Sequence, residues 1–241
     1  MNWFNPYQYE DLQARSVDSY ANAKYTMIRA YLRGCGSLQI LNAGCGSGEL
    51  SFLLAADGHI VLGLDPASEY IELARSALPF EFTARCSFQV GDIEEMSTEK
   101  KFDVVIATDV LEHIKDDGTA AQKLITLIKT GGRLMITVPA MPSLFGFHDE
   151  QLGHFRRYTA HTLKTLIDSV GGISYERIRY FGWTLIPVCL LWSKILRRPY
   201  PLAAAGKKRT LLGTLLSFLL WLDTRSPLPF GTSLLLYAKK G

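Results

Sequence analysis

The strongest constraint on the fold is a glycine-rich loop that separates two apolar segments. Residues 39–50 read Gln-Ile-Leu-Asn-Ala-Gly-Cys-Gly-Ser-Gly-Glu-Leu, so Gly44, Gly46 and Gly48 occupy alternate positions. Glycine permits close approach of a ligand to the backbone and the dihedral angles of a tight strand-to-helix turn. A helix that follows such a turn presents unpaired N–H groups and the positive end of its dipole. The loop therefore predicts an α/β protein that binds a small charged cofactor.

The spacing of the glycines distinguishes between kinds of cofactor. A dinucleotide-binding loop has its third glycine three positions after the second, and here that position, counted from Gly46, holds Glu49. A second apolar run, residues 60–64, ends in Asp65, where α/β nucleotide sites place a carboxylate that binds ribose. The pattern favours a cofactor that contains a ribose but is not a nicotinamide dinucleotide. An NAD(P)-linked oxidoreductase is the first rival interpretation.

Two later strand ends repeat this arrangement. A Gly-Asp-Ile sequence at 91–93 follows the third predicted strand, and Asp-Val-Leu-Glu-His at 109–113 follows the fourth. With these motifs in this order, residues 40–240 resemble the class I S-adenosylmethionine-dependent methyltransferases. The resemblance implies that S-adenosylmethionine is the cofactor and that it is bound by Gly44, Gly46, Gly48, Asp65, Asp92, Ile93, Asp109 and Leu111.

The resemblance also implies a role for each motif. The glycine loop wraps the methionine part of the cofactor, and Asp65 binds the ribose. Asp92 lies beside the adenine amine, and residues 109–111 line the cofactor near its methyl group. Methyl transfer would release S-adenosylhomocysteine as the second product.

The alternation of strand and helix patterns predicts an α/β fold with a doubly wound, seven-stranded, mostly parallel sheet, the Rossmann-like fold of class I methyltransferases. In that family the last two strands are antiparallel. We expect Gly131 and Gly132 to end the helix before the fifth strand. The predicted strands after the glycine loop are 60–64, 87–90, 102–108, 133–138, 173–181 and 233–239, and the predicted helices are 18–32, 49–56, 67–78, 119–128 and 159–170.

A helical, apolar insertion precedes the last strand. We divide the chain into a methyltransferase domain, residues 1–182 and 231–241, and an insertion, residues 183–230. The insertion has apolar runs at 183–196 and 211–222, and it carries seven basic residues but a single acidic one. Leucine and tryptophan beside basic clusters such as Lys207-Lys208-Arg209 favour contact with an anionic membrane surface. A helical cap over the substrate and a dimer interface are the alternatives, and the sequence leaves the oligomeric state open.

The segment after the fifth strand is dense in groups that can move protons or bind anions. A methylated oxygen must lose a proton, so a nearby histidine can act as general base. Residues 152–159, Leu-Gly-His-Phe-Arg-Arg-Tyr-Thr, resemble a subgroup of the family associated with glycans and lipid-linked intermediates. We predict His154 as the base, with His113 and His148 as the next candidates, although a hydrogen bond that only orders the loop would also explain His154. The predicted acceptor-binding residues are Arg156, Arg157 and Tyr158.

Composition bounds the remaining expectations. Four cysteines without metal-like or paired spacing indicate a reducing, cytosolic setting. The N-terminus lacks the pattern of a secretory signal, and no apolar run reaches the length of a spanning helix. We therefore expect a cytoplasmic enzyme that contacts the inner face of the membrane, with a small-molecule or lipid-linked acceptor.

The sequence gives weaker support to three other interpretations: a bound metal, a nucleic-acid partner and a protein that has lost catalysis. We predict no metal, although residues 148–154 include ligand-type side chains and the Glu112-His113 pair resembles that of ubiquinone-pathway O-methyltransferases. We also predict no nucleic-acid partner, because the basic residues of the insertion are interleaved with leucine rather than with stacking aromatics. A non-catalytic lipid-binding module is the second rival, and the intact Asp65 and glycine loop argue against it.

Overall fold

The computed structural model of this chain describes residues 3–13, 18–97, 99–198, 211–226 and 228–241. Within these residues, seven strands form one sheet in the order β3-β2-β1-β4-β5-β7-β6. Strand β7 is antiparallel to both neighbours, and the other pairings are parallel. The predicted doubly wound sheet is confirmed. The strands are β1 (Gln39–Ala43), β2 (Ile60–Asp65), β3 (Cys86–Val90), β4 (Phe102–Thr108), β5 (Ile128–Pro139), β6 (Ile173–Phe181) and β7 (Ser233–Lys240).

Helices cover both faces of the sheet. The described α-helices are α1 (Pro6–Gln13), α2 (Ser19–Leu32), α3 (Glu49–Ala56), α4 (Ser68–Ala77), α5 (Asp117–Thr126), α6 (Phe147–Leu152), α7 (Ala160–Val170), α8 (Ile186–Val188) and α9 (Leu211–Arg225). Short 3₁₀ turns at Phe80–Phe82, Ile93–Glu95, Leu111–His113, Pro142–Leu144 and Trp183–Leu185, and a π-helical stretch at Cys189–Ile195, complete the described helical segments.

The strands divide their side chains between two core layers because successive residues of a strand point to opposite faces. On β4, Val105 and Ala107 pack with the helices α5 and α7, and Val104 and Ile106 pack with α2, α3, α4 and α9. All four side chains are completely buried. Burial of both faces explains the near-continuous apolar sequence of this central strand.

Side-chain caps set several helix ends where the sequence predicts them. The carboxylate of Asp18 accepts hydrogen bonds from the N–H groups of Tyr20 and Ala21, and α2 begins at the next residue. Thr159 caps α7 by accepting from the N–H of Thr162, and Gly171 follows the last helical residue. These caps satisfy N–H groups that have no partner within the helix.

The prediction for the helix before the fifth strand was wrong in its boundaries. Helix α5 begins at Asp117, capped by Asp116, and ends at Thr126 rather than at 128. Strand β5 begins at Ile128, which pairs with Phe102 of β4. Gly132 lies inside this strand, where a Cβ would be 2.8 Å from the carbonyl oxygen of Asp103. The glycine permits close approach of two strands and does not cap the helix.

The described part of the insertion between β6 and β7 is mainly helical, as predicted. Its first segment runs from the 3₁₀ turn at 183–185 through α8 into the π-helical stretch, and α9 is its second helix. Asp223 of α9 accepts hydrogen bonds from the N–H and hydroxyl of Thr184, so the two segments are tied together. The basic cluster Lys207-Lys208-Arg209 lies outside the described residues. The division of the chain at 183 and 230 stays a prediction.

Replacement of Ile106 by alanine should destabilise the fold, because this side chain is completely buried in the core against α2 and α3. We expect the free energy of unfolding to fall by about 2 to 5 kcal/mol. Ile60, at 51% exposure on β2, supplies the control. Ile60→Ala should change the free energy by less than about 0.5 kcal/mol. Urea denaturation followed by circular dichroism measures both, and equal losses would contradict the assignment of Ile106 to the core.

Candidate active site

A cavity of about 1140 Å³ lies at the carboxyl ends of the parallel strands. The loops after β1, β2, β3 and β4 contribute Gly44, Asp65, Asp92 and Asp109 to its wall. Helix α1 and the 185–189 part of the insertion close other sides. Sites for one drug-sized ligand usually measure about 300 to 1,000 Å³, so this cavity has room for a cofactor and a second molecule.

The glycine loop lies in this cavity with an unusual backbone. Gly44, Gly46 and Gly48 have φ values of 66°, 52° and 89°, the left-handed region that favours glycine. A Cβ at Gly44 would overlap Val110, and one at Gly46 would be 2.8 Å from Leu12. The loop backbone can therefore pack this closely against Val110 and Leu12 only because these two positions lack a side chain. Gly48 caps α3 and lies behind the cavity wall.

Asp65 connects the end of β2 to the glycine loop. Its carboxylate accepts hydrogen bonds from the N–H groups of Gly46, at 3.0 Å, and Ala67, at 3.1 Å. Burial raises the pKa of Asp65 to about 6, and the two backbone hydrogen bonds oppose that rise. The residue lines the cavity with 6% of its surface exposed.

The motifs after β3 and β4 occupy different depths. Asp92 and Ile93 line the cavity, and Asp92 caps the short turn that follows through the N–H of Glu94. Asp109 also lines it, with φ of 54° and a 3.0 Å hydrogen bond from the hydroxyl of Thr137. Leu111 is completely buried in the core and does not contribute to the cavity wall. It supports the wall from behind.

Lys24 is a site residue that sequence reasoning missed. It extends from α2 into the cavity wall, is 4% exposed, and forms an ion pair with Asp109. The available signal was its position four residues after Tyr20 and four before Ile28, on the buried face of the helix. A lysine on such a face is rarely buried unless it is paired.

Helix α1 is a second feature without a predicted counterpart. Leu12 packs against the glycine loop, and the hydroxyl of Tyr7 is 3.2 Å from Nδ1 of His148. Asn5 donates a hydrogen bond to the carbonyl oxygen of Gln151. Helix α1 and the residue before it therefore cover the cavity beside the glycine loop and connect this loop to α6. His148 lines the cavity between these elements.

The two remaining predicted bases meet beside a buried carboxyl group. The rings of His113 and His154 are perpendicular with centroids 4.6 Å apart. Ligand atoms of Glu112, His113 and His154 all lie within 4.8 Å of one another, a spacing that could hold a metal ion or an acceptor oxygen. Glu112 is completely buried, neither carboxyl oxygen has a hydrogen-bond partner among the described residues, and burial raises its pKa well above the usual value. Burial and the neighbouring His154 lower the pKa of His113 to about 4, so His113 is neutral at pH 7.

Asp149 binds His154 and Arg157 together. One carboxylate oxygen is 3.0 Å from Nδ1 of His154 and 2.7 Å from Nε of Arg157. Burial alone would raise the pKa of Asp149, but the hydrogen bonds and the guanidinium charge outweigh it and lower that pKa to about 2. The sequence predicted a loop here, whereas residues 147–152 form α6. The Asp149 carboxylate, which accepts from the N–H of Gly146 at the helix start, supplies the cap.

The residues proposed to bind the acceptor separate into two groups. Arg157 lines the cavity, but Arg156 and Tyr158 do not. Arg156 forms a 2.7 Å ion pair with Asp117, and the hydroxyl of Tyr158 donates to the same carboxylate. These contacts join α5 to the segment before α7. Of the three residues, Arg157 is the one that lines the cavity.

The fold and this cavity define a class I S-adenosylmethionine-dependent methyltransferase, as the sequence predicted. A family model described as a methyltransferase domain matches residues 36–176, and the chain belongs to this family. The membership decides against an NAD(P)-linked oxidoreductase.

Named relatives and solved structures are consistent with that assignment. The mitochondrial ubiquinone biosynthesis O-methyltransferase of Homo sapiens is 36% identical over 104 residues, which cover 42% of this chain and 28% of the relative. The ubiquinone biosynthesis O-methyltransferase of Coxiella burnetii is 28% identical over 137 residues, 56% of each protein. The N-methyltransferase NodS of Bradyrhizobium japonicum, in complex with S-adenosylhomocysteine, matches with a TM-score of 0.59 at 15% identity, over 92% of this chain and 87% of NodS. The sequence matches therefore span about a quarter to just over half of these relatives.

Proposed function

We propose that this enzyme O-methylates an amphiphilic acceptor, linked to a lipid or a glycan, at the inner face of a membrane. The observation that carries the proposal is the position of the insertion. Leu185, Val188 and Cys189 line the cavity, while Leu190 and Leu191 on the next turn are exposed. A single helical segment thus adjoins both the site and an apolar surface. The names of the ubiquinone biosynthesis relatives support a lipid-like acceptor.

The cofactor end of the cavity fits S-adenosylmethionine. The backbone of the glycine loop lines the cavity at Gly44 and Gly46, and helix α3 begins directly after the loop, at Glu49. We assign the ribose to Asp65 and the adenine side to Asp92 and Ile93. The Lys24–Asp109 ion pair also lines the cavity, and the ammonium group of Lys24 is suited to the carboxylate of the methionine part.

Replacement of Asp65 by alanine should weaken cofactor binding, because hydrogen bonds to the ribose are lost. Hydrogen bonds to charged groups contribute about 1.5 to 3 kcal/mol, so the dissociation constant for S-adenosylhomocysteine should rise by roughly 10- to 150-fold. Isothermal titration calorimetry measures it. Asp57→Ala, which removes a surface partner of Arg29 outside the cavity, should leave it unchanged. Equal affinity in the Asp65 variant and wild type would place the ribose elsewhere.

His154 is the general base in this proposal. S-adenosylmethionine supplies an electrophilic methyl group, so the acceptor hydroxyl must release its proton as the oxygen bonds to the methyl carbon. Nδ1 of His154 is engaged by Asp149, and Nε2 is the nitrogen that remains for the acceptor. The cavity wall around it includes His113 and Glu112, and only 6% of the His154 side chain is exposed.

Replacement of His154 by glutamine should slow methyl transfer and spare cofactor binding. General-base catalysis contributes about 10²- to 10⁴-fold, and we expect a loss in that range. Transfer of radiolabel from methyl-labelled S-adenosylmethionine to a membrane lipid extract measures turnover. His161→Gln, at an exposed position of α7, is the matched control. Normal turnover in the His154 variant would show that the histidine only orders the segment.

The exposed surface of the insertion is suited to the boundary between headgroups and acyl chains. Phe218 and Trp221 stack on α9 with 56% and 48% exposure, and the guanidinium of Arg225 lies 4.0 Å from the Trp221 ring centroid. Aromatic and aliphatic side chains beside cations bind anionic interfaces. No helix among the described residues is long and apolar enough to span a bilayer. Other exposed apolar residues of the insertion are Leu190, Leu191, Ile195, Leu196, Leu228 and Phe230.

The full chain should float with phosphatidylglycerol vesicles at low salt and remain behind with phosphatidylcholine vesicles. Replacing Phe218 and Trp221 together by serine should reduce flotation, because apolar burial and stacking are lost. Phe80→Ser provides the control, since Phe80 is 89% exposed on the domain body. Wild-type protein that stays unbound with anionic vesicles would favour a substrate cap or a dimer interface, in a methyltransferase of a soluble metabolite.

A further inference from the structure

Asp149 is completely buried, and described groups approach both of its carboxylate oxygens. Oδ1 accepts a hydrogen bond from Nε of Arg157 at 2.7 Å and lies 3.0 Å from Nδ1 of His154. Oδ2 accepts from the N–H of Gly146 at 2.9 Å. Two hydrogen-bond donors and one imidazole nitrogen thus converge on a single carboxylate beside the cavity.

We infer that Asp149 is a positioning residue that holds His154 as the neutral tautomer with its proton on Nδ1. The inference rests on the proposed role of His154 as base. An ionised carboxylate accepts hydrogen bonds and cannot donate them. Because Oδ1 faces Nδ1, that nitrogen must carry the hydrogen, and the lone pair is then on Nε2. Nε2 is the atom that can take a proton from the acceptor hydroxyl.

The charge state of Asp149 follows from its own partners. A buried carboxyl group without partners would be protonated, and its hydroxyl could donate to a bare Nδ1 and reverse the tautomer. The guanidinium of Arg157 and the N–H of Gly146 stabilise the anion instead. Arg157 is itself 8% exposed and donates a second hydrogen bond to the carbonyl oxygen of Ala140. Arg157 thus acts on the site through Asp149.

The orientation of the ring is held from several sides. The N–H of His154 donates to the carbonyl oxygen of Asp149 at 2.9 Å, which fixes the backbone at the base of the side chain. The N–H of Phe155 donates to the carbonyl oxygen of Glu112 at 2.8 Å, which joins this segment to the turn after β4. The His113 ring meets the His154 ring edge-on. With Nδ1 fixed as well, the ring has one orientation toward the cavity.

Nitrogen-15 NMR of histidine-labelled full-length protein at neutral pH tests the tautomer directly. His154→Gln identifies the signals of His154 by their absence. We expect Nδ1 to show the shift and one-bond proton coupling of a protonated ring nitrogen and Nε2 the shift of an unprotonated one. The reverse pattern, or an equal mixture, overturns the inference. This measurement needs no acceptor, so it is independent of whether the acceptor has been identified correctly.

Asp149→Asn separates positioning from mere support of the fold. The amide keeps the size of the carboxylate but loses its charge and can donate to Nδ1. We expect turnover to fall about 10²- to 10⁴-fold, the His154 tautomer to shift toward Nε2–H, and the S-adenosylhomocysteine dissociation constant to change less than threefold. Glu150→Gln, which removes an exposed partner of Arg197 on the same helix, should leave all three unchanged.

The outcomes distinguish this inference from the proposed function. Normal turnover in folded Asp149→Asn protein, or loss of turnover with an unaltered tautomer, overturns the positioning role. Normal turnover in the His154→Gln variant contradicts the base assignment instead. If Asp149→Asn does not fold, the tautomer measured in the wild-type protein still decides the inference.

Discussion

The parallel pairing of β2, β1 and β4 is the constraint on which the site depends. Ala43 at the end of β1 is paired with Leu64 on one side and with Ala107 on the other, so the following loops leave the same edge of the sheet. Asp65 accepts the Gly46 N–H only because this register brings the two loops together. A slip of one residue would reverse the facing of every side chain on a strand. The part of the cavity lined by Gly44, Gly46 and Asp65, where we propose that the cofactor binds, thus follows from sheet register.

The part of the cavity lined by His154 and Arg157, where we propose that the acceptor binds, depends on buried charges that are paired. Asp149 and Arg157 are nearly free of solvent contact, and isolated ions would be very costly at such positions. Their mutual hydrogen bonds, with that of the Gly146 N–H, offset the desolvation cost and leave His154 in a defined position. Lys24 and Asp109 also form an ion pair in the wall of this cavity. The polar groups of the site are therefore oriented by each other as much as by the backbone.

Local sequence patterns predicted an element correctly wherever the residues that determine it are close together in the sequence. The helices predicted at 18–32 and 159–170 and the strand predicted at 102–108 depend on neighbours within a few residues, and the structure confirms all three to within one residue. The error at α5 arose because Gly132 is required by contact with Asp103, about thirty residues away, which no local pattern records. Helix α6 was missed although its cap is local, because the capping carboxylate belongs to Asp149 inside the first turn, which accepts from the N–H of Gly146, and not to a residue that precedes the helix.

The sequence by itself determined the doubly wound sheet, the cofactor class and the glycine loop, because strand periodicity and the order of motifs are linear properties of the chain. Only the tertiary structure decided which side chains share the cavity. It placed Lys24 beside Asp109, joined His154 to Asp149, and directed Arg156 toward Asp117. Some of these contacts join helices and loops that are distant in sequence, and others depend on the direction in which a side chain points. Packing of the helices against the sheet sets both the distances and the directions, and the linear sequence records neither.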